Sequence, residues 1–221
     1  EYIETGLLPA TFMRQWKAMM EMELINVLIV GQDSMPYFMD AYSNEFGNAF
    51  RHRISYLTEG ETRELAEEPI LLEDKTSRYR GNALKRLFEF TAGSPYYTQK
   101  FCDSLVRYLN LKTAPFITEA DVYNIAESLT SGDYSLAESE FDPLIAAAGQ
   151  SIQKIPKSDY LELLKSIALL SGEKTGAKPD EIANLPNKED LLKELQYREV
   201  INATADGRLK IRVGLFERWL K

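Results

Sequence analysis

Cysteine and histidine are nearly missing from this chain of 221 residues, with one of each, and the scarcity closes off several chemistries at once. Cys102 alone cannot form an internal disulfide, which fits a reducing compartment. It lies in a helical pattern between Phe101 and Leu105, where a packed thiol is expected rather than a reactive one. His52 cannot build a metal site by itself, and no Cys/His spacing points to zinc. No metal is therefore expected, and His52, set between Arg51 and Arg53, is read as a loop or strand residue rather than a base. Long apolar runs are also missing: Ile25 to Val30 is far too short to span a bilayer. No signal-peptide pattern opens the chain. The expectation is a cytoplasmic protein with no membrane partner. A basic excess is missing too, since 26 Lys and Arg face 34 Asp and Glu for a net charge of −8. An acidic body argues against non-specific nucleic-acid binding as the main role. Residues 155–221, with twelve Lys/Arg against eleven Asp/Glu, leave only a weak case for it there. No internal repeat or low-complexity stretch occurs. Finally, no G-x-x-x-x-G-K-S/T loop occurs, so these residues carry no such backbone cradle for nucleotide phosphates.

What is present is ordinary for a globular protein: 44% hydrophobic and 27% charged residues, in a length that allows one domain or two small ones. The first residues, Glu1-Tyr-Ile-Glu-Thr, read as the inside of a longer polypeptide. From Thr11 to Glu23, Phe12, Trp16, Met19 and Met20 fall at helical spacing, with Pro9 before them. Ile25 to Val30 reads as a strand whose nearly continuous apolar character implies burial on both faces, as in a parallel sheet. Its neighbours would then have to lie outside the chain. Pro36 to Tyr42 makes an apolar turn or short helix, and Arg53-Ile-Ser-Tyr-Leu alternates as an edge strand.

Four helices follow. A capping box, Thr58-Glu-Gly-Glu61, starts one that Pro69 stops. Tyr79 to Phe90 forms the second and Pro95 to Leu109 the third, with Thr91-Ala-Gly-Ser between them. Thr118-Glu-Ala-Asp121 caps a fourth through Leu129. Ser131 to Gln150 reads as a partly helical connector. Beyond Ser158 come a long buried helix, a short one over Pro179 to Asn184, and a third over Lys188 to Tyr197. An alternating pair, Glu199 to Ala203 and Arg208 to Val213, flanks the Asp206-Gly207 turn as a β-hairpin. Helix, helix, helix, hairpin is the order of a winged helix.

Taken in order, these pieces resemble the AAA+/STAND class of ATPases, in the branch related to origin-recognition initiators. The likeness rests on FMRQWKAMMEME, on VLIVGQDSMP, on NEFGNAFRHRISYL, on the segment FTAGSPYYTQKFCDSLVRYLN, on ITEADVYNIAESL and on the stretch from SDYLELLKSIALL to RVGLFERWLK. It implies a mainly α fold with a small α/β remnant: part of a RecA-like core over 1–57, a helical-bundle lid over 58–132, a connector over 133–154 and a winged helix over 155–221. It implies a nucleotide-regulated switch that relays its state through the lid to the winged helix. ATP with Mg would be the cofactor of the intact parent, with none bound tightly by these residues alone, which are expected to be inactive without the phosphate loop. The partners implied are the N-terminal part of the same core, a second copy or an effector domain, in signal transduction through oligomerisation. Rival readings are a DNA-binding initiator or regulator, and a non-catalytic structural adaptor.

The resemblance also places residues. Gln32 matches the polar residue at the end of the fourth core strand that hydrogen-bonds attacking water or γ-phosphate, and an amide can both donate and accept. The alternative is a Gln that ties down the turn at Asp33 and Ser34. Gly93, Ser94 and Pro95 match the glycine-proline turn that sets a helix N-terminus against nucleotide, with Tyr96 beside them where many relatives carry an arginine. A tight inter-helix turn with no ligand is the competing reading. Arg51, with Arg53 nearby, is a weak match to an arginine that reaches a neighbouring subunit; a solvated surface pair, or a salt bridge to Glu59 or Glu61, is preferred. Arg208, Lys210 and Arg212 alternate onto one side of the hairpin. They are candidates for DNA contact, although basic residues also protect exposed strand edges.

Overall fold

The computed structural model describes residues 6–9, 11–31, 35–132, 134–146, 155–172 and 176–221, with Pro36 and Tyr37 described by their backbone alone. These residues are mainly helical, with one small antiparallel sheet. Contacts divide the chain into two units. One holds the residues up to Arg53; the other holds Ile54–Ala146 together with Ile155–Lys221.

The smaller unit carries α1 (Phe12–Glu21), α2 (Met35–Ala41) and α3 (Ser43–Phe46). Its core is slight: Met13, Met39 and Phe46, with Phe12, Trp16, Phe38 and Ile29 against them. Helix α1 ends where Glu23 takes a left-handed φ of 57°, and Leu24 N–H bonds Met19 O at 3.0 Å. That is a Schellman stop with glutamate in the place usually given to glycine. The strand predicted over Ile25 to Val30 is not formed among the described residues. The stretch has irregular backbone, Leu28 is 88% and Val30 79% exposed, and Val27 is only half-buried rather than covered on both faces. The reason is physical. A strand requires a neighbour for its main-chain donors and acceptors, and the described residues offer it none.

The larger unit opens with α4 (Glu59–Glu67), whose predicted capping box is present: Glu61 N–H bonds Thr58 Oγ1 at 3.2 Å while the Glu61 carboxylate accepts from Thr58 N–H at 2.8 Å. A 3₁₀ turn, Glu68–Ile70, carries Pro69 and ends it. Helix α5 (Ala83–Thr91) starts later than the periodicity predicts, because Tyr79 forms a bridge to Ile117 and Gly81 turns the chain at φ 61°. Helices α6 (Pro95–Lys112) and α7 (Glu119–Thr130) complete the four, the second capped reciprocally by Thr118 and Asp121. Asp121 is buried, which disfavours its charge, yet hydrogen bonds from Lys112 and Thr118 outweigh that and hold its pKa below the usual value.

Helix α8 (Glu138–Ile145) lies inside the expected connector, and it is central to packing. Phe141 is fully buried with its ring 5.6 Å from Tyr97, 5.4 Å from Phe216 and 5.0 Å from Trp219. It thereby ties α6 to the C-terminal helix. Beyond it come α9 (Lys157–Leu170), α10 (Lys188–Tyr197), the strands β1 (Ile201–Ala203) and β2 (Leu209–Ile211), and α11 (Gly214–Leu220). The hairpin pairs Ile201 with Ile211 and Ala203 with Leu209, and Ala177 bridges to Leu209 on its far side. The helix predicted over Pro179 to Asn184 is replaced by turns and irregular backbone, which follow Ala177 where it bridges to Leu209. Helix α11 packs on α5, α7 and α9. A Cβ on Gly214 would lie 2.6 Å from Glu89 O, so only glycine allows this approach. Helices α4 to α7 and the C-terminal elements therefore share one continuous core.

Candidate functional site

The turn between α5 and α6 is built from three residues with distinct jobs. Thr91 bonds back to Leu87 O at 3.0 Å, Ala92 takes φ 52°, and Gly93 takes φ 77°. Two successive left-handed residues reverse the chain within a single turn. Gly93 then receives Leu57, whose N–H donates to Gly93 O at 2.7 Å. A Cβ at Gly93 would lie 2.1 Å from Leu57 O. Pro95 occupies the first position of α6, where no N–H is needed. Gly93 and Ser94 are buried, whereas Pro95 and Tyr96 face solvent.

Tyr96 is not free to meet a ligand with its hydroxyl, which donates to Glu140 Oε1 at 2.7 Å. Lys100 Nζ reaches the same oxygen at 2.9 Å, and Ala137 N–H bonds the other at 3.0 Å. Tyr97, buried, donates to Glu140 O at 2.9 Å. Three of these bonds, from Tyr96, Tyr97 and Lys100, fasten the start of α6 to α8, and the Ala137 bond caps α8 itself. Hydrogen bonds from Lys100 and then Tyr96 hold the Glu140 carboxyl below its ordinary value, while the bond to Glu140 raises both Tyr96 and Lys100. The sign follows from linkage. A carboxyl with a lowered folded pKa stabilises at neutral pH and loses that contribution as pH falls below its ordinary 4.5. Glu140→Gln is therefore expected to cost about 1 kcal/mol at pH 7. Urea titrations of both proteins should show that difference shrinking as the pH falls below 4.5.

Gln32 lies outside the described residues, so its predicted position is open. Arg51 is an exposed surface residue, one of the two readings preferred for it, and it pairs with Asp40 at 3.5 Å instead of making the alternative bridge to Glu59 or Glu61. Asp40 follows Met39 on α2, within the same small unit as Arg51. On the hairpin, Arg208, Lys210 and Arg212 do alternate against buried Leu209 and Ile211. Two of them are already engaged. Arg208 pairs with Asp206 at 2.9 Å and donates to Gly176 O at 3.2 Å. Arg212 pairs with Glu199 at 2.5 Å and lies 4.0 Å over the Tyr56 ring. Those contacts weaken the field a phosphate backbone would meet.

Among the described residues no three His, Cys, Asp or Glu side chains group as metal ligands, and no helix is long and apolar enough to cross a membrane. Cys102 sits 3.9 Å from the Tyr79 hydroxyl, and burial pushes its thiol up to about 11, so it carries little thiolate at neutral pH. A shallow depression of about 230 Å³ lies apart from the turn, lined by Glu59, Arg63, Gly81, Asn82, Leu84 and Lys85. Sequence reasoning missed Glu140 and Phe141, yet Phe141, Leu144 and Ile145 stand at helical spacing, and that signal was available. Comparison with protein-family models, with curated proteins and with solved structures finds no match.

Proposed function

We propose that this chain is the lid and C-terminal interaction half of a cytoplasmic AAA+/STAND nucleotide switch. The observation that supports this most is the division of the chain at Arg53 and Ile54, with α4 to α11 built as one body beyond it. A relay needs a rigid element that moves as a whole, and a shared core supplies it. In the intact parent, ATP and Mg would be held by a phosphate loop absent from these residues, with the N-terminal part of the core completing the α/β layer around Ile25 to Val30. The exposed portion of the turn, Pro95 and the ring of Tyr96 rather than its engaged hydroxyl, would meet the nucleotide, while Gly93 and Ser94 shape the turn behind it. Gln32 would sense the terminal phosphate, and Arg51 has the weaker case for reaching a neighbouring subunit. The helix-hairpin unit would then present the state to an effector or to another copy.

The purified 221-residue chain is expected to show no ATP turnover, and measurable turnover would overturn the reading. In a polypeptide that joins it to a phosphate loop, Gln32→Ala should lower turnover by about 10²-fold, the usual loss of one transition-state donor. The DNA-binding reading has less support, because Arg208 and Arg212 are paired. A gel-shift separates the two: binding to duplex that weakens steeply with salt would favour the DNA reading, and its absence the switch. No turnover in that joined polypeptide, with no effect of nucleotide on self-association, would favour a structural adaptor.

A further inference from the structure

Residues 54–58 form a strap without helix or strand pairing among the described residues, between the junction at Arg53 and the start of α4. They are held from two directions. Ser55 Oγ donates to Glu199 Oε2 at 2.5 Å, and Arg212 reaches the same oxygen at 2.5 Å. The Arg212 guanidinium also covers the Tyr56 ring at 4.0 Å. Glu199 precedes β1 and Arg212 follows β2, so both jaws belong to the base of the hairpin. On the other side, Leu57 N–H bonds Gly93 O at 2.7 Å in the turn before α6. The strap thus joins the hairpin to the α5–α6 turn, parts of the chain more than 100 residues apart.

The backbone of Glu199 carries this placement. It takes φ 59°, in the left-handed region that glycine adopts freely and a residue with a Cβ does not. A glycine there would suit the turn between α10 and β1 and would lose the carboxylate. We propose that Glu199 and Arg212 form a latch that holds the strap on the hairpin, and that opening it releases the residues next to the junction without unfolding the larger unit. The latch is a conformational device of this fold and does not depend on the nucleotide reading. It is charge-assisted and half-buried, so it is strong enough to hold and close enough to solvent to be displaced.

Hydrogen exchange on the full chain tests this through the Leu57 amide, with α7 amides as the internal reference for opening of the whole unit. Glu199→Gly is expected to raise Leu57 exchange by about tenfold, the loss of a charge-assisted bond, with α7 unchanged. Arg212→Met should act the same way, and the double variant should add little to either single change. Leu57 exchange equal to the parent in both single variants would overturn the proposal. So would a rise in α7 exchange by the same factor as Leu57, since the strap would then have no separate opening.

Discussion

Phe141→Ala is expected to destabilise the larger unit by about 3–5 kcal/mol, measured by urea unfolding. The ring is fully buried and touches aromatic partners on two helices at centroid distances of 5.0 to 5.6 Å. Removal leaves a cavity where α6, α8 and α11 meet, and offset ring contacts of this kind add to the area term. The rings of Tyr97 and Phe216 are themselves held by the core and cannot collapse into the space. Phe141→Leu, which keeps most of the volume, should cost markedly less. A loss below about 1 kcal/mol for the alanine variant would mean that α8 is not the packing element described, because buried Phe→Ala changes cost several times that.

Gly93→Ala is the second large effect, about 2–4 kcal/mol, because two costs add. An alanine at φ 77° pays for left-handed backbone, about 1–2 kcal/mol. Its Cβ must also find room 2.1 Å from Leu57 O, a main-chain atom that cannot rotate aside. Gly207 separates the two costs. It has φ 76° with nothing within 4 Å of an added Cβ, so Gly207→Ala should lose only the conformational part. If the two substitutions cost the same, the close approach of the strap to the turn is wrong.

Local signals were readable in the residues themselves. The reciprocal caps at Thr58 with Glu61 and Thr118 with Asp121, the entry of α6 at Pro95 and the Asp206-Gly207 hairpin turn all rest on neighbours within a few positions. They form as expected. Long-range dependence is where the reading went astray. Ile25 to Val30 and Ile54 to Leu57 have strand composition, yet a strand is decided by what lies beside it. Among the described residues the first has no partner, and the second is claimed by Glu199, Arg212 and Gly93. The candidate turn was legible as a turn from Gly93 and Pro95. That Glu140 takes the Tyr96 hydroxyl was not, because the contact spans 44 positions and Glu140 sat in a segment read as a connector. The mainly α class was legible because helical periodicity repeats within each segment.

If α4 to α11 form a single cooperative body, native-state hydrogen exchange across the chain will show it. Core amides of α6, α7, α9 and α11 are expected to share one opening free energy and to respond together to Phe141→Ala. Exchange of α9 and α10 at a lower free energy than α5 to α7, unaffected by that substitution, would contradict it.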